Sequence, residues 1–163
     1  MMHQSEMPKL QPLPITKKGE PRRWLLLEDW TCHILGRYNL FVIPAGFIFD
    51  GASIPRLFWG ILSPTGYLFL AGLIHDFVYK YGFLYTYAVM VDGELGPIYK
   101  ETMLDQKAAD IIFEDIGYKI CLDARVYTKI AFLSLRGFGR FTWKDYRKQD
   151  LKCDLKPLNY EVN

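Results

Sequence analysis

Cysteine and histidine are scarce in this 163-residue chain, at three residues each. Cys32, Cys121 and Cys153 lie far apart, with neither a CxxC pair nor the spacing of a zinc site. That argues against a disulfide-framed secreted domain and a structural zinc centre, and fits free thiols in a chain made in the cytosol. A dominant sign of charge is also missing: Lys and Arg number 20 against 18 Asp and Glu, for a net charge of +2. The basic residues are spread out, so no nucleic-acid partner is expected, although a weak basic patch near the C-terminal end would suit an anionic surface. Residues 1–18 contain Pro and Lys but no apolar stretch leading to a small-residue cleavage site, so no signal peptide is expected. The longest charge-free run, Leu57 to Ile74, is interrupted by Ser63-Pro64-Thr65-Gly66 and closed by a His-Asp pair, so no transmembrane span is expected either.

The chain does have apolar and aromatic residues, at 50% and 16%, which exclude disorder and suit one domain of ordinary size. The pattern predicts an α+β fold: a small N-terminal antiparallel sheet followed by a helical core. Residues 1–20 read as a loosely attached arm, 21–55 as sheet and loop, 56–139 as the helical core and 140–163 as an irregular tail. Short aromatic and β-branched segments at Trp24–Leu27, Trp30–Leu35, Tyr38–Ile43 and Phe47–Phe49 supply the strands. A helix is predicted from Ser63-Pro64 to Gly82, and a hairpin near 85–99 around Asp92-Gly93. A second helix follows from Thr102, its N-cap, to about Ile116, and a third from about Asp123 to Arg136, stopped by Gly137-Phe138-Gly139. The first two helices are expected to face each other.

The chemistry concentrates in His75-Asp76-Phe77-Val78-Tyr79, inside the apolar first helix. Four-residue spacing puts His75 and Tyr79 on one face, while Asp76 points about a quarter-turn away. Ionisable groups in so apolar a segment need a partner, a cation or water. Asp110, set between Ala109 and Ile111 in the second helix, is the expected partner of His75. A histidine of ordinary pKa can take a proton from water near neutral pH, and a buried carboxylate on its other nitrogen fixes the tautomer and stabilises the imidazolium. Asp105 reads as a helix cap, and His3 and His33, with no acidic neighbour, as structural or exposed.

Gly46-Phe47-Ile48-Phe49-Asp50-Gly51-Ala52-Ser53-Ile54-Pro55, His75-Asp76-x-x-Tyr79 and Ala109-Asp110-x-x-Phe113 occur in that order. Together they resemble a family of bacteriophage and prophage proteins carried as a domain of unknown function. That resemblance implies synthesis in the host cytoplasm and association with other virion proteins as one possible fate. More distantly, the two helical motifs around a hairpin resemble the phospholipase A2 superfamily in its disulfide-free parvovirus-capsid form. This second resemblance implies calcium-assisted hydrolysis of a phospholipid or other ester, at a membrane surface in one setting. It makes His75 the general base, Asp110 its orienting carboxylate and Tyr79 a hydrogen-bond donor to Asp110. Asp76 would be a calcium ligand, and Asp50 and Gly51 would stand in the calcium loop. The repeated glycines and the cysteine framework of secreted phospholipases are missing.

Other readings remain open from the residues alone. His75, Asp76 and Tyr79 also suit a polar staple in the helical core, with Asp76 paired to an Arg such as Arg56, in a non-enzymatic virion or host-interaction protein. A His/Asp metal hydrolase acting on cell-wall or phosphoester substrates is a third.

Overall fold

Short β-prone segments punctuated by Gly, Pro and Asp give way to long apolar helices, and the fold follows that change. A computed structural model describes residues 7–20, 22–32, 40–50, 68–88, 98–120 and 125–158. They form seven strands and three helices in an α+β arrangement. The strands are β1 (Leu10–Pro12), β2 (Trp24–Leu26), β3 (Trp30–Cys32), β4 (Phe41–Ile43), β5 (Ile48–Phe49), β6 (Phe83–Ala88) and β7 (Ile98–Met103), and the helices are α1 (Phe69–Tyr81), α2 (Gln106–Ile120) and α3 (Arg125–Gln149). The chain divides into two compact units: Met1–Ile48, Phe83–Met103 and Cys153–Asn163 form one, and Phe49–Gly82 with Leu104–Lys152 the other.

The first unit is mainly sheet, with strand order β1-β2-β5 in one sheet and β3-β4-β6-β7 in a second. β1 pairs antiparallel with β2, so Leu10–Pro12 is a strand and the loosely attached arm expected over 1–20 is corrected there. Pro12 is tolerated because β1 is an edge strand. The expected hairpin is present as β6 and β7, in register from Phe83↔Met103 to Ala88↔Ile98. Its Asp92-Gly93 turn lies outside the described residues. β6 also pairs with β4, where Phe41, Val42, Leu84 and Tyr85 are fully buried. Residues 150–158, after α3, are irregular but anchored: Tyr85 donates to the Leu155 carbonyl at 2.8 Å, and Asp29 accepts from the backbone of Leu158 at 2.8 Å.

The second unit holds the helices. Leu73, Ile74, Phe77 and Val78 make the buried face of α1, and each such burial stabilises by about 1.5–3 kcal/mol. α1 begins at Phe69; the predicted Ser63-Pro64 start lies outside the described residues. It ends at Gly82, whose φ of 82° is a left-handed cap that glycine adopts without strain. Arg147 reinforces that end, donating to the carbonyls of Tyr79 at 2.9 Å and Lys80 at 2.7 Å. Leu68 packs against Gly117 while Tyr79 meets Gln106, so α1 and α2 run antiparallel, as facing helices should. Contacts of Thr128 with Gly117 and of Arg136 with Asp110 run α3 antiparallel to α2.

Three helix boundaries differ from expectation. Thr102 is not the N-cap of α2: it sits in β7, its hydroxyl paired with that of Thr86, and Asp105 caps instead, accepting from the Ala108 N–H at 2.7 Å. Threonine suits a strand as well as a cap, and a full register through Met103 decides between them. α2 does not stop at Gly117 but continues to Ile120, and α3 runs through Gly137 and Gly139 to Gln149, so Trp143 and Tyr146 are helical rather than tail. Gly117 and Gly139 are packing residues: a Cβ on Gly117 would collide with Thr128, and one on Gly139 with the Tyr79 hydroxyl.

Gly137 and Gly139 therefore make a matched pair. A Cβ on Gly137 meets open space, so Gly137→Ala should stabilise by about 0.5–1 kcal/mol through helix propensity. Gly139→Ala should lower the melting temperature, because either Tyr79 or α3 must move. Thermal denaturation of the two variants checks the opposite signs.

Candidate functional site

Asp110, fully buried, gathers two side chains from α1 and one from α3. His75 Nε2 lies 3.2 Å from its Oδ1, and the Tyr79 hydroxyl donates to the same oxygen at 2.7 Å. Arg136 donates to Oδ2 at 3.0 Å. Gln106 donates to the Tyr79 oxygen at 3.2 Å, which leaves the Tyr79 proton directed at Asp110. One turn of helix separates His75 from Tyr79, and their rings stack at 3.9 Å, with Phe113 closing edge-on at 5.5 Å. Trp143 packs edge-on against Tyr79 and carries the Arg147 guanidinium on its own ring.

The donors fix the charges. Burial alone would raise the Asp110 pKa, but hydrogen bonds from His75, Tyr79 and Arg136 outweigh it and hold the carboxyl below its ordinary range. Burial also opposes a charged His75, yet Asp110 and Asp76 more than compensate and raise its pKa. Tyr79 is pushed up by burial and by Asp110, so it stays a protonated donor. An anionic Asp110 only accepts, so neutral His75 carries its proton on Nε2 and its lone pair on Nδ1. That Nδ1 is buried and has no hydrogen-bond partner among the described residues; the nearest Asp76 oxygen is 3.9 Å away. A histidine with one nitrogen oriented by a carboxylate and the other bare is arranged to accept a proton.

On the Nδ1 side lie the two acids expected to hold a metal. The carboxyl groups of Asp50 and Asp76 are within hydrogen-bonding range of each other, and burial together with the Asp76 charge pushes the Asp50 pKa up to about 7. Asp50 is exposed as a residue, and the Asp76 carboxylate stands beside it. Burial and both carboxylates raise the pKa of Tyr146, which places its ring in their field. Two carboxylates sharing one place suit a hard divalent cation, which would replace the shared proton. Among the described residues no group of three or more His, Cys, Asp or Glu could hold a metal ion. Further oxygens would have to come from elsewhere, and Gly51, like Arg56 and the rest of the Asp50–Ser53 loop after Asp50, lies outside the described residues.

Sequence reasoning brought together His75, Tyr79 and Asp110, and Asp50 with Asp76. It missed Arg136, Gln106, Gly139 and Tyr146. Gln106 stands four residues before Asp110, one helical turn away on the same face, and this spacing could have revealed it. Arg136, at the end of the apolar run Ala131–Leu135, reads as a helix terminus when Gly137 is taken for a stop.

The profile of a family described as a protein of unknown function, DUF1353, matches residues 24–123, and the chain belongs to that family. The match includes Asp50, His75, Asp76, Tyr79, Gln106 and Asp110 and stops before α3. No curated protein and no solved structure matches the chain significantly.

The raised Asp50 pKa has a sign that can be measured. Between its ordinary value near 4 and about 7 the folded state binds more protons than the unfolded, so stability should fall as pH rises through that window. Asp50→Asn should remove part of that decline and raise the melting temperature at pH 8 relative to the parent. Melting curves with a constant difference across pH would contradict the paired carboxyls.

Proposed function

We propose that this DUF1353 protein is an ester hydrolase of phospholipase A2-like mechanism, acting on a phospholipid or similar carboxylic ester with calcium as its cofactor. The observation that carries the reading is the oriented His75, with Nε2 on buried Asp110 and a bare Nδ1 facing away from it. His75 Nδ1 takes the proton of the attacking water. Asp110 stabilises the imidazolium so formed, and Tyr79 and Arg136 hold Asp110 in place. His75 then returns the proton to the leaving alkoxide. Asp50 and Asp76 would hold the calcium ion, which when bound supplies polarisation of the ester carbonyl. The phage or prophage setting, synthesis in the host cytoplasm and a place among virion proteins belong to the same proposal, on the strength of the three motifs.

One observation favours a second reading, a non-enzymatic protein with a structural polar cluster: three donors from two other helices saturate Asp110. Such a network by itself ties helices together.

Hydrolysis of a short-chain phosphatidylcholine below its micelle concentration, with calcium present, separates the two. The enzyme reading expects turnover that His75→Ala abolishes and Asp110→Asn lowers by about 10⁴ through the wrong tautomer, with the variants still folded. Its acid limb should lie above the ordinary histidine value of about 6.5, because His75 must be neutral to act and its pKa is raised. No turnover by the parent protein, with both substitutions lowering the melting temperature, would leave the structural reading.

A further inference from the structure

α3 packs on the other helices from Thr128 to Arg147, and its outer surface is unusual. Val126, Leu133, Phe138 and Phe141 are 67%, 58%, 64% and 69% exposed, and Tyr127 is 44% exposed. The helix carries seven basic residues and one acidic residue, in a chain whose net charge is only +2. Four of the seven are engaged: Lys129 with Glu114, Arg136 with Asp110, Arg147 with the end of α1, and Lys148 with Asp145. Arg125, Arg140 and Lys144 make no ion pair among the described residues.

These residues are ordered around the helix. At about 100° per residue, Thr128, Ala131, Leu135 and Gly139 make the inward face. On the solvent side, Leu133, Val126 and Phe141 lie within about 80° of one another, with Lys144 and Lys148 among them; Lys129, Arg136 and Arg140 line one edge, and Asp145, Tyr127 and Phe138 lie beyond the other. Exposed apolar side chains of this size beside unpaired cations are costly in water, and they are the two components of a helix lying in a lipid interface. The cations alone would suit any polyanion; the leucine, valine and phenylalanine need an apolar phase.

We infer that the outer face of α3 docks the protein on an anionic lipid surface, with Leu133 and Phe141 entering the acyl boundary and Arg140 and Lys144 meeting headgroup phosphates. The inference rests on the proposed esterase reading only for its purpose, which is to bring the site of His75 to its substrate at the interface. No helix among the described residues is long and apolar enough to cross a membrane, so α3 lies on the surface rather than through it.

The test uses the full chain and vesicles of ether-linked lipids, which no esterase can cleave. Flotation should show binding to ether-linked phosphatidylcholine vesicles that contain ether-linked phosphatidylglycerol, and much weaker binding to the phosphatidylcholine alone. Arg140→Gln and Lys144→Gln should each weaken binding about fivefold, since one basic residue near such a surface contributes about 1 kcal/mol. Leu133→Ser with Phe141→Ser should weaken it further while leaving turnover of the monomeric short-chain ester unchanged. Loss of monomer turnover in the parent with vesicle binding intact would remove the esterase reading and keep this one. No binding to anionic vesicles, binding unaffected by the four substitutions, or retention on heparin without vesicle binding would overturn it.

Discussion

The helical unit depends on keeping the Asp110 carboxylate charged in a place without solvent. An isolated carboxylate there would protonate or expel itself; it remains ionised because His75, Tyr79 and Arg136 each donate to it. The penalty for removing one partner of such a buried pair is about 3–5 kcal/mol, so the three helices have one well-determined mutual arrangement. α1 supplies two donors one turn apart, α2 the carboxylate and α3 the guanidinium. The same constraint assigns the tautomer of His75, and through it the ring nitrogen that keeps a lone pair.

Several remote features serve that cluster. Gly139 gives Tyr79 the room to reach Asp110, Gln106 orients its hydroxyl, and Trp143 packs on its ring. Arg147 clamps the last carbonyls of α1, the turn that carries Tyr79. The Asp105 cap sets where α2 begins, and so the position of Asp110 along it. A change at any of these positions reaches the site through Tyr79 or Asp110 without touching His75.

The sequence made the core of this arrangement legible because four-residue spacing is a geometric statement. His75 and Tyr79 must share a face, and a carboxylate flanked by Ala109 and Ile111 must find a donor. The left-handed Gly82 cap and the hairpin were legible for similarly local reasons. Gly117, Gly137 and Gly139 were not, because a glycine that ends a helix and one that admits a neighbour look alike until the neighbour is known. Reading the last two as a stop hid the final thirteen residues of α3, with Trp143, Tyr146 and Arg147, and turned Arg136 into an end residue. Thr102 was lost to a competition between two preferences of one side chain. β1 was missed because a three-residue edge strand containing Pro12 has too little pattern to stand out from an arm.

The proposed role of His75 as an oriented base differs from that of a core histidine by the place of a single proton. Nitrogen-15 NMR of the imidazole, recorded on selectively labelled protein well above its raised pKa, reads that proton directly. The expected His75 tautomer has the proton on Nε2 and an unprotonated Nδ1, converting to a mixed population in Asp110→Asn. A proton on Nδ1 in the parent protein would contradict it, since Nε2 would then have nothing to donate to Asp110 and no lone pair would be available for water.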